Sequence, residues 1–550
     1  MRVGKFKRTF SYILLLWTLT WGTRQATADL VTRSSLSDQR HSIQTGAELE
    51  HSRHWLEAIE HYEDAVKLWP ESKNLVYGLR RSKIHFGIKR RYTDKSFQNQ
   101  LLKMSRRDAL DLFDEVLRAA KAHYVESLSA TSFVAHGTES FYLSLANQKF
   151  LNSHFPEAVK AQNARERATH MRKILHARYW NKSIAHCKSA RETVSQICDI
   201  ASEVVGLSSA CVVMEYVFGG CNALDDYSSV LTPDRLDDLE NNIDGEFVGL
   251  GIEMKIEKGE GLLLVNVLPA SPAAEAGVRA GDYITRIDGW DCRFMSTDEA
   301  ANLLRGASGS RVRVVLKRNS QTPVREATLT RRAVQVKSIP VSQIVDQQYG
   351  IGYIRLTVFQ RSTVRELDDA LSKLRRQGMQ ATILDLRQNH GGLLDAAADV
   401  ADRFIGAGTL VSTKGRTFEQ NDRLYAHRLG TIDVPLVLVT DDESASASEI
   451  VAGAIRDHRR GLIVGRQTYG KWSVQSIYPI LGSMGLRLTT ARFYSPHGHN
   501  LGKIGVRPDV TLDAPEKHKT FYRGTSDFDA SNDNDIQKAI QLLRTQLSRQ

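Results

Sequence analysis

At 550 residues, with 41% apolar and 25% charged side chains, the chain is long enough for roughly three or four ordinary globular domains and falls in no class of biased composition. Its net charge of +11 does not mark a nucleic-acid binder. Five of those charges, Arg2, Lys5, Lys7, Arg8 and Arg24, fall before residue 29, so the remainder carries only +6. The same first residues have the layout of a secretion leader: a basic start, an apolar run from Tyr12 to Trp21 too short for the about 20 residues of a membrane span, and a small-x-small site at Ala26-Thr27-Ala28. Residues 1–28 are therefore expected to be a signal peptide and Asp29 the mature start, which makes the protein exported, periplasmic or held in the cell envelope. An uncleaved leader would instead associate it with a membrane. Export brings the cysteines into question. Cys187, Cys198, Cys211 and Cys221 lie close in sequence and Cys292 apart, without metal-ligand spacing, so one or two disulfides or free buried thiols are both open.

Residues 29–90 and 91–240 read as helical. Gly46, Ala58, Tyr62, Ala65 and Pro70 fall at the spacings of one tetratricopeptide repeat, in which small residues let two helices close and a proline ends the second. One repeat cannot bury its own face, so it needs neighbouring helices such as Leu75–Gly87 or a protein partner. Arg107–Lys121 and Glu157–Ala177 are amphipathic helices with solvated charged faces.

Phe247–Arg318, within an expected domain at 241–320, alternates apolar and polar residues as a small β domain does. Gly249-Leu250-Gly251-Ile252 resembles the carboxylate-binding loop of PDZ domains, and Ser271–Cys292 resembles the body of a PDZ domain in bacterial proteases. Glycines there let successive N–H groups converge on a peptide's terminal carboxylate while the peptide joins the sheet edge. Residues 321–513 follow as an α/β core: a strand over Gly350–Leu356, an amphipathic helix over Thr363–Gln377, and a buried strand over Thr382–Leu386 that exits into Arg387-Gln388-Asn389-His390-Gly391-Gly392. After residue 514 the chain is polar, and Asn534–Leu547 is a last amphipathic helix.

The stretch from Leu436 to Gln475 carries the chemistry. An apolar strand runs through Asp441-Asp442-Glu443 to Ser444-Ala445-Ser446-Ala447-Ser448 and into a helix, so a serine is delivered at a strand-to-helix turn whose N–H groups suit an oxyanion. A second strand then leads to Tyr469-Gly470-Lys471-Trp472-Ser473-Val474-Gln475. This pattern, with the lysine 25 residues after the middle serine, resembles the signature of the C-terminal processing peptidases, also called tail-specific proteases. The resemblance covers about Ala223–Val510, including Ala223–Met254 as the entry to the PDZ domain and Leu486–Val510 as the closing strands. It implies Ser446 as nucleophile, Lys471 as general base, Gln475 as the residue orienting the lysine, and Gly391 with the Ala447 N–H as oxyanion hole. It implies no metal and no organic cofactor. Its expected ligands are protein or peptide substrates with free C-termini.

The chain departs from the family at three places. His390 stands where proline is usual, Trp472 follows the lysine where glycine is usual, and Leu128–Ser209 reads as an insertion. Trp472 is expected either to shield the lysine from water or to crowd it. His390 and His458 are expected to serve surface or packing roles and Asp457 structural support. The multidomain expectation is an exported serine-lysine endopeptidase with a regulatory PDZ domain; the alternative is a non-catalytic PDZ and tetratricopeptide scaffold with a relic core.

Overall fold

The computed structural model describes residues 37–155, 163–257, 259–295, 297–318, 323–513 and 528–549. The expected leader, and most of the polar segment after residue 514, lie outside them. Two compact units divide the chain: one holds the residues up to Tyr92 with Thr138–Trp180 and Glu203–Leu207, the other holds the remainder.

In the first unit a helix over 37–51 is followed by Trp55–Leu68 and Lys73–Arg91. The Tyr62 ring is their common centre. A β-carbon on Gly46 or Gly78 would fall 2.3 or 2.5 Å from that ring, so both glycines are needed for helices to close on it. Ala58, Ala65 and Leu75 complete this small core, and the Tyr62 hydroxyl donates to Glu50, which also binds Arg81. The spacing that suggested a repeat thus marks real close approaches, within three successive helices.

In the second unit, the helices Arg106–His123 and Ser209–Gly220 pack together, and the latter is buried nearly all round. The described part of the stretch expected as an insertion, shared between the two units, carries the helices Ala130–Ser144, Gln148–His154, Ala164–Arg178 and Cys187–Val205. All five cysteines are free thiols, four of them buried, and burial pushes Cys198 up to about 11 and Cys221 up to about 12. One expectation is corrected here: residues 91–240 are not wholly helical. Ser229–Leu231 is a strand, too short to show periodicity, and it exists because it completes a sheet with Met484–Tyr494, Ser229 facing Arg487.

The chain enters the PDZ domain along Glu246–Gly249 and leaves it along Arg332–Gln335, and these two strands pair with each other. The domain's sheet extends beyond the expected edge at 320, because Arg325–Thr330 pairs with Arg311–Lys317. Ile252–Glu257 is its edge strand, with the helix Thr297–Leu304 beside it. Gly251 has φ +73° and lies so close to Ser271 that a β-carbon would sit 2.2 Å from the serine's.

The core is a six-stranded sheet in the order β1 (Val341–Asp346), β2 (Ile351–Arg355), β3 (Ala381–Asp385), β4 (Leu436–Thr440), β5 (Leu462–Gly465) and β6 (Val510–Thr511). All neighbours are parallel except β1 and β2. The central strands are largely apolar and fully buried because both faces are covered. On one face Ile354, Leu384 and Leu438 pack under three helices, α1 (Thr363–Arg376), α2 (Leu394–Asp402) and α3 (Ala447–Asp457). On the other, Tyr353, Ile383 and Val437 pack against Ile536, Ile540 and Leu543 of the C-terminal helix α4 (Asn534–Leu547). A second sheet, Ser229–Leu231, Met484–Tyr494, Thr409–Gly415 and Asp422–Tyr425, with Ser473–Ile480 also paired to Met484–Tyr494, carries the residues after the lysine.

Candidate active site

β3, β4 and β5 are parallel neighbours, so the loops leaving their C-terminal ends meet at one edge of the sheet. These are the glycine turn 386–392, the serine turn 441–446 and the lysine loop 466–471. The turns are tied together locally. The Asp441 carboxylate accepts the N–H groups of Gln388 and Ser444 at 3.0 Å, and the Asn389 carbonyl accepts Ala445 N–H at 3.0 Å and the Ser448 hydroxyl at 2.8 Å.

Among the three serines of the turn the environments differ. Ser444 and Ser448 are fully buried, their hydroxyls donating to the carbonyls of Leu386 and Asn389. Ser446 is partly exposed and stands at the N-terminus of α3 with φ 57° and ψ −113°, a strained conformation for a residue with a side chain. Gly391, with φ +101°, lies directly against it: a β-carbon there would be 2.8 Å from Ser446 Cβ and 2.9 Å from Ala447 N. The two expected oxyanion donors are therefore adjacent. The Gly391 N–H itself donates to Asn389 Oδ1 at 2.9 Å.

The residue that organises the site is one the sequence presented only as the start of a helix. Glu449, fully buried one turn into α3, accepts four hydrogen bonds: from Ser446 N–H at 2.9 Å, Gly470 N–H at 2.8 Å, Lys471 N–H at 2.8 Å and the Thr468 hydroxyl at 2.6 Å. Burial pushes its carboxyl above the usual range, and those same donors oppose the shift by favouring the anion. The capping-box spacing of Glu449 after Ser446 was the available signal.

Lys471 is half-buried. Its Nζ lies 4.8 Å from the centre of the Tyr227 ring, a cation–π placement. Burial lowers its pKa, and the Arg487 charge lowers it further, against opposing contributions from Asp225 and Glu449. Tyr227 and Arg487 were not foreseen. They arrive through the short strand Ser229–Leu231, in register with Arg487, whose guanidinium donates to Ser229 Oγ at 3.2 Å. Ser446 and Lys471 thus share the site through the Glu449 bridge, without a hydrogen bond between their side chains. Gln475 makes no hydrogen bond to the lysine side chain: its amide donates to Ser473 Oγ at 2.9 Å and to Thr489 Oγ1 at 3.3 Å.

Trp472 packs into the core of the peptidase. Its ring is buried in the core, stacked on Phe493 at 4.7 Å and close to Gly453 of α3. His390 is exposed, and His458 sits at the far end of α3, about 18 Å along the axis from Ser446, bonded to the Thr409 carbonyl. Asp457 accepts the His497 N–H at 3.0 Å, a supporting contact. Among the described residues no group of three His, Cys, Asp or Glu could hold a metal ion.

Residues 350–512 match peptidase family S41, and residues 264–318 match a PDZ domain. The chain is 38% identical over 308 residues to a carboxy-terminal-processing protease of Bartonella bacilliformis, covering 54% of this chain and 69% of that one. It is 35% identical over 293 residues to a carboxyl-terminal-processing protease of Synechocystis, covering 52% and 68%. Among solved structures it is similar to a photosystem II D1 C-terminal processing protease, at 26% identity, 74% and 93% coverage and a TM-score of 0.40.

Two outcomes follow from the packing. Gly391→Ala forces a β-carbon into Ala445 O, Ser446 Cβ and Ala447 N, all under 3.0 Å, and is expected to lower cleavage of an unfolded protein by at least about a hundredfold. Glu449→Gln places an amide NH2 among N–H donors; a comparable loss of rate is expected, with a destabilisation of about 2 kcal/mol in urea unfolding.

Proposed function

We propose, for a chain that belongs to the carboxyl-terminal-processing proteases, that it is an exported endopeptidase in which Ser446 attacks the peptide carbonyl and Lys471 is the general base. The observation that carries this reading is the Glu449 carboxylate. It bonds the backbone of the serine and the backbone of the lysine at once, so the two groups keep a fixed spacing through a single buried anion.

The reaction then runs through this chain's own groups. Neutral Lys471 takes the Ser446 proton as Oγ adds to the carbonyl carbon, and the resulting oxyanion is met by the Ala447 and Gly391 N–H groups. Lys471 then protonates the leaving amine. Water hydrolyses the acyl-enzyme with the same lysine as base. Two local changes accompany entry into this cycle: Lys471 Nζ leaves the Tyr227 ring for Ser446, and Gly391 N–H exchanges Asn389 Oδ1 for the oxyanion. Catalytic contacts commonly tighten only with substrate present.

Recognition is assigned to the PDZ domain. Ile252–Glu257 is an edge strand able to accept a peptide as a further strand. Ile252, Met254 and Ile256 are partly exposed apolar residues along it. At its head the carbonyls of Leu250 and Gly251 are committed to Ala273 and Leu268, so an anion at Gly249-Leu250-Gly251-Ile252 would meet N–H groups. Peptides ending in an apolar residue with a free carboxylate are the fitting ligands. Export rests on the leader-like residues 1–28; among the described residues no helix is long and apolar enough to cross a membrane. A scaffold with a relic core would have no use for a buried carboxylate holding serine and lysine together.

Incubation with an unfolded protein tests the activity. Wild type is expected to give fragments and Ser446→Ala none, with folding and peptide binding retained; cleavage lost in Ser444→Ala or Ser448→Ala but kept in Ser446→Ala would refute the assignment. A lowered lysine pKa gives the sign of the pH profile. The neutral base becomes more abundant as pH rises, so activity should climb and level off above a midpoint below the ordinary value of about 10.4. Lys471→Arg should stay inactive from pH 5 to 10, since arginine cannot release its proton there. Finally, a peptide with a free apolar C-terminus should bind the PDZ domain more tightly than its amidated form, measured by titration calorimetry. Equal affinities would count against carboxylate reading and leave the peptidase assignment standing.

A further inference from the structure

Behind the site, on the sheet face away from the nucleophile helix, lies a cluster of six charged side chains from five elements. Arg355 of β2, Arg387 of the glycine turn and Arg466 of the lysine loop meet Asp385 of β3 and Asp533 and Asp535 at the start of α4. The Arg387 guanidinium donates to Asp385 at 2.7 Å, to Asp533 at 2.8 Å and to Asp535 at 2.9 Å, and Arg466 donates to the same Asp535 oxygen at 2.9 Å. Side-chain exposure is 2% at Arg387, 0% at Asp385 and 4% at Asp533, so water supplies little of their stabilisation. Three positive charges face three negative ones. Two of the negative ones come from beyond residue 512, the last that matches the peptidase family.

The two arginines held by α4 are not equivalent bystanders. Arg387 lies two residues before Asn389, whose carbonyl accepts from Ala445 and Ser448 of the serine turn. Arg466 lies two residues before Thr468, which donates to Glu449 and leads to Gly470 and Lys471. Arg466 is anchored on its other side as well, since its N–H donates to the Thr440 carbonyl and its own carbonyl accepts from the Thr440 hydroxyl. The first turn of the C-terminal helix therefore grips the roots of both loops that deliver the oxyanion donor and the base. Removing its carboxylates would take two charged acceptors from the buried Arg387, leaving it on Asp385, and one from the partly buried Arg466; breaking a buried ionic group in this way costs far more than an apolar replacement of the whole group.

We infer that Asp533 and Asp535 are positioning residues for catalysis: the C-terminal helix works as a clamp that sets the glycine turn and the lysine loop in register with each other. The inference rests on the reading of Ser446 and Lys471 as the reacting groups. Neither aspartate touches substrate. Their contribution runs through Arg387 and Arg466, so it should affect turnover and leave substrate capture, which belongs to the PDZ domain, alone.

Asp533→Asn and Asp535→Asn in the full chain test this, since each keeps shape and one acceptor oxygen and loses the charge. The expected result with a reduced and alkylated protein substrate is a kcat at least about tenfold lower at a KM within about twofold of wild type. Arg466→Gln combined with Asp535→Asn should lose no more than the worse single variant, because both disturb one contact. Hydrogen exchange gives a readout independent of cleavage: peptides covering 386–392 and 466–471 should exchange faster together in Asp535→Asn while the PDZ sheet does not change. Wild-type kcat in both aspartate variants, multiplicative losses in the double variant, or faster exchange confined to 528–549 would each overturn the clamp. An inactive wild-type chain with the expected exchange pattern would instead sink the serine-lysine reading and the catalytic role with it, leaving only the structural coupling of the two loops through the C-terminal helix.

Discussion

The site depends on one buried carboxylate. Glu449 has no solvent to stabilise its charge, so it must be satisfied by protein donors, and the four it finds come from both ends of the 25-residue interval between serine and lysine. That requirement works in both directions. The N–H groups of Ser446, Gly470 and Lys471 are drawn to the anion, and the anion is tolerated only where they converge. The strained backbone of Ser446 fits the same picture, because its N–H is one of the bonds that hold it there. Around this anion the field is graded: Arg487 and burial disfavour a charged Lys471, while Asp225 and Glu449 favour it, and the lysine rests over a neutral aromatic face.

The parts legible in the sequence were those with local signals. The β-prone stretches Thr382–Leu386 and Leu436–Val439 gave the central strands, and Asn534–Leu547 gave the last helix at its true bounds. The spacing of serine and lysine gave the family. What escaped was long-range. Tyr227 and Arg487 come together only because three residues, Ser229–Leu231, pair with a strand more than 250 residues away, and no periodicity survives in so short a segment. Glu449 looked like an ordinary first-turn acid, a helix-start signal that competes with every other reading of such a residue. Trp472 was weighed as a neighbour of the expected base, yet its ring lies in the core beside Phe493, while the half-buried lysine reaches the Tyr227 ring.

The core sheet carries two different interiors. Under α1, α2 and α3 the packing is mostly apolar, with Ser448 and Glu449 as buried polar residues at the start of α3. Under α4 it is apolar along the helix, with Ile536, Ile540 and Leu543, but ionic at the helix start, where the aspartates stand against Arg387. Negative charge at a helix N-terminus is favourable in itself, and here it is also what the arginines require. The result is that the C-terminal helix is joined to the glycine turn and the lysine loop by specific, directional bonds as well as by burial.

The paired stem of the PDZ domain has a consequence for how such a chain is assembled and altered. Because Glu246–Gly249 and Arg332–Gln335 are hydrogen-bonded neighbours, the whole domain leaves and rejoins the body across about 5 Å, one strand spacing. A module attached in this way is an insertion with touching ends. It can be lengthened, exchanged for another domain or replaced by a hairpin turn without stretching the body that carries it, so the PDZ domain and the peptidase core are free to diversify independently.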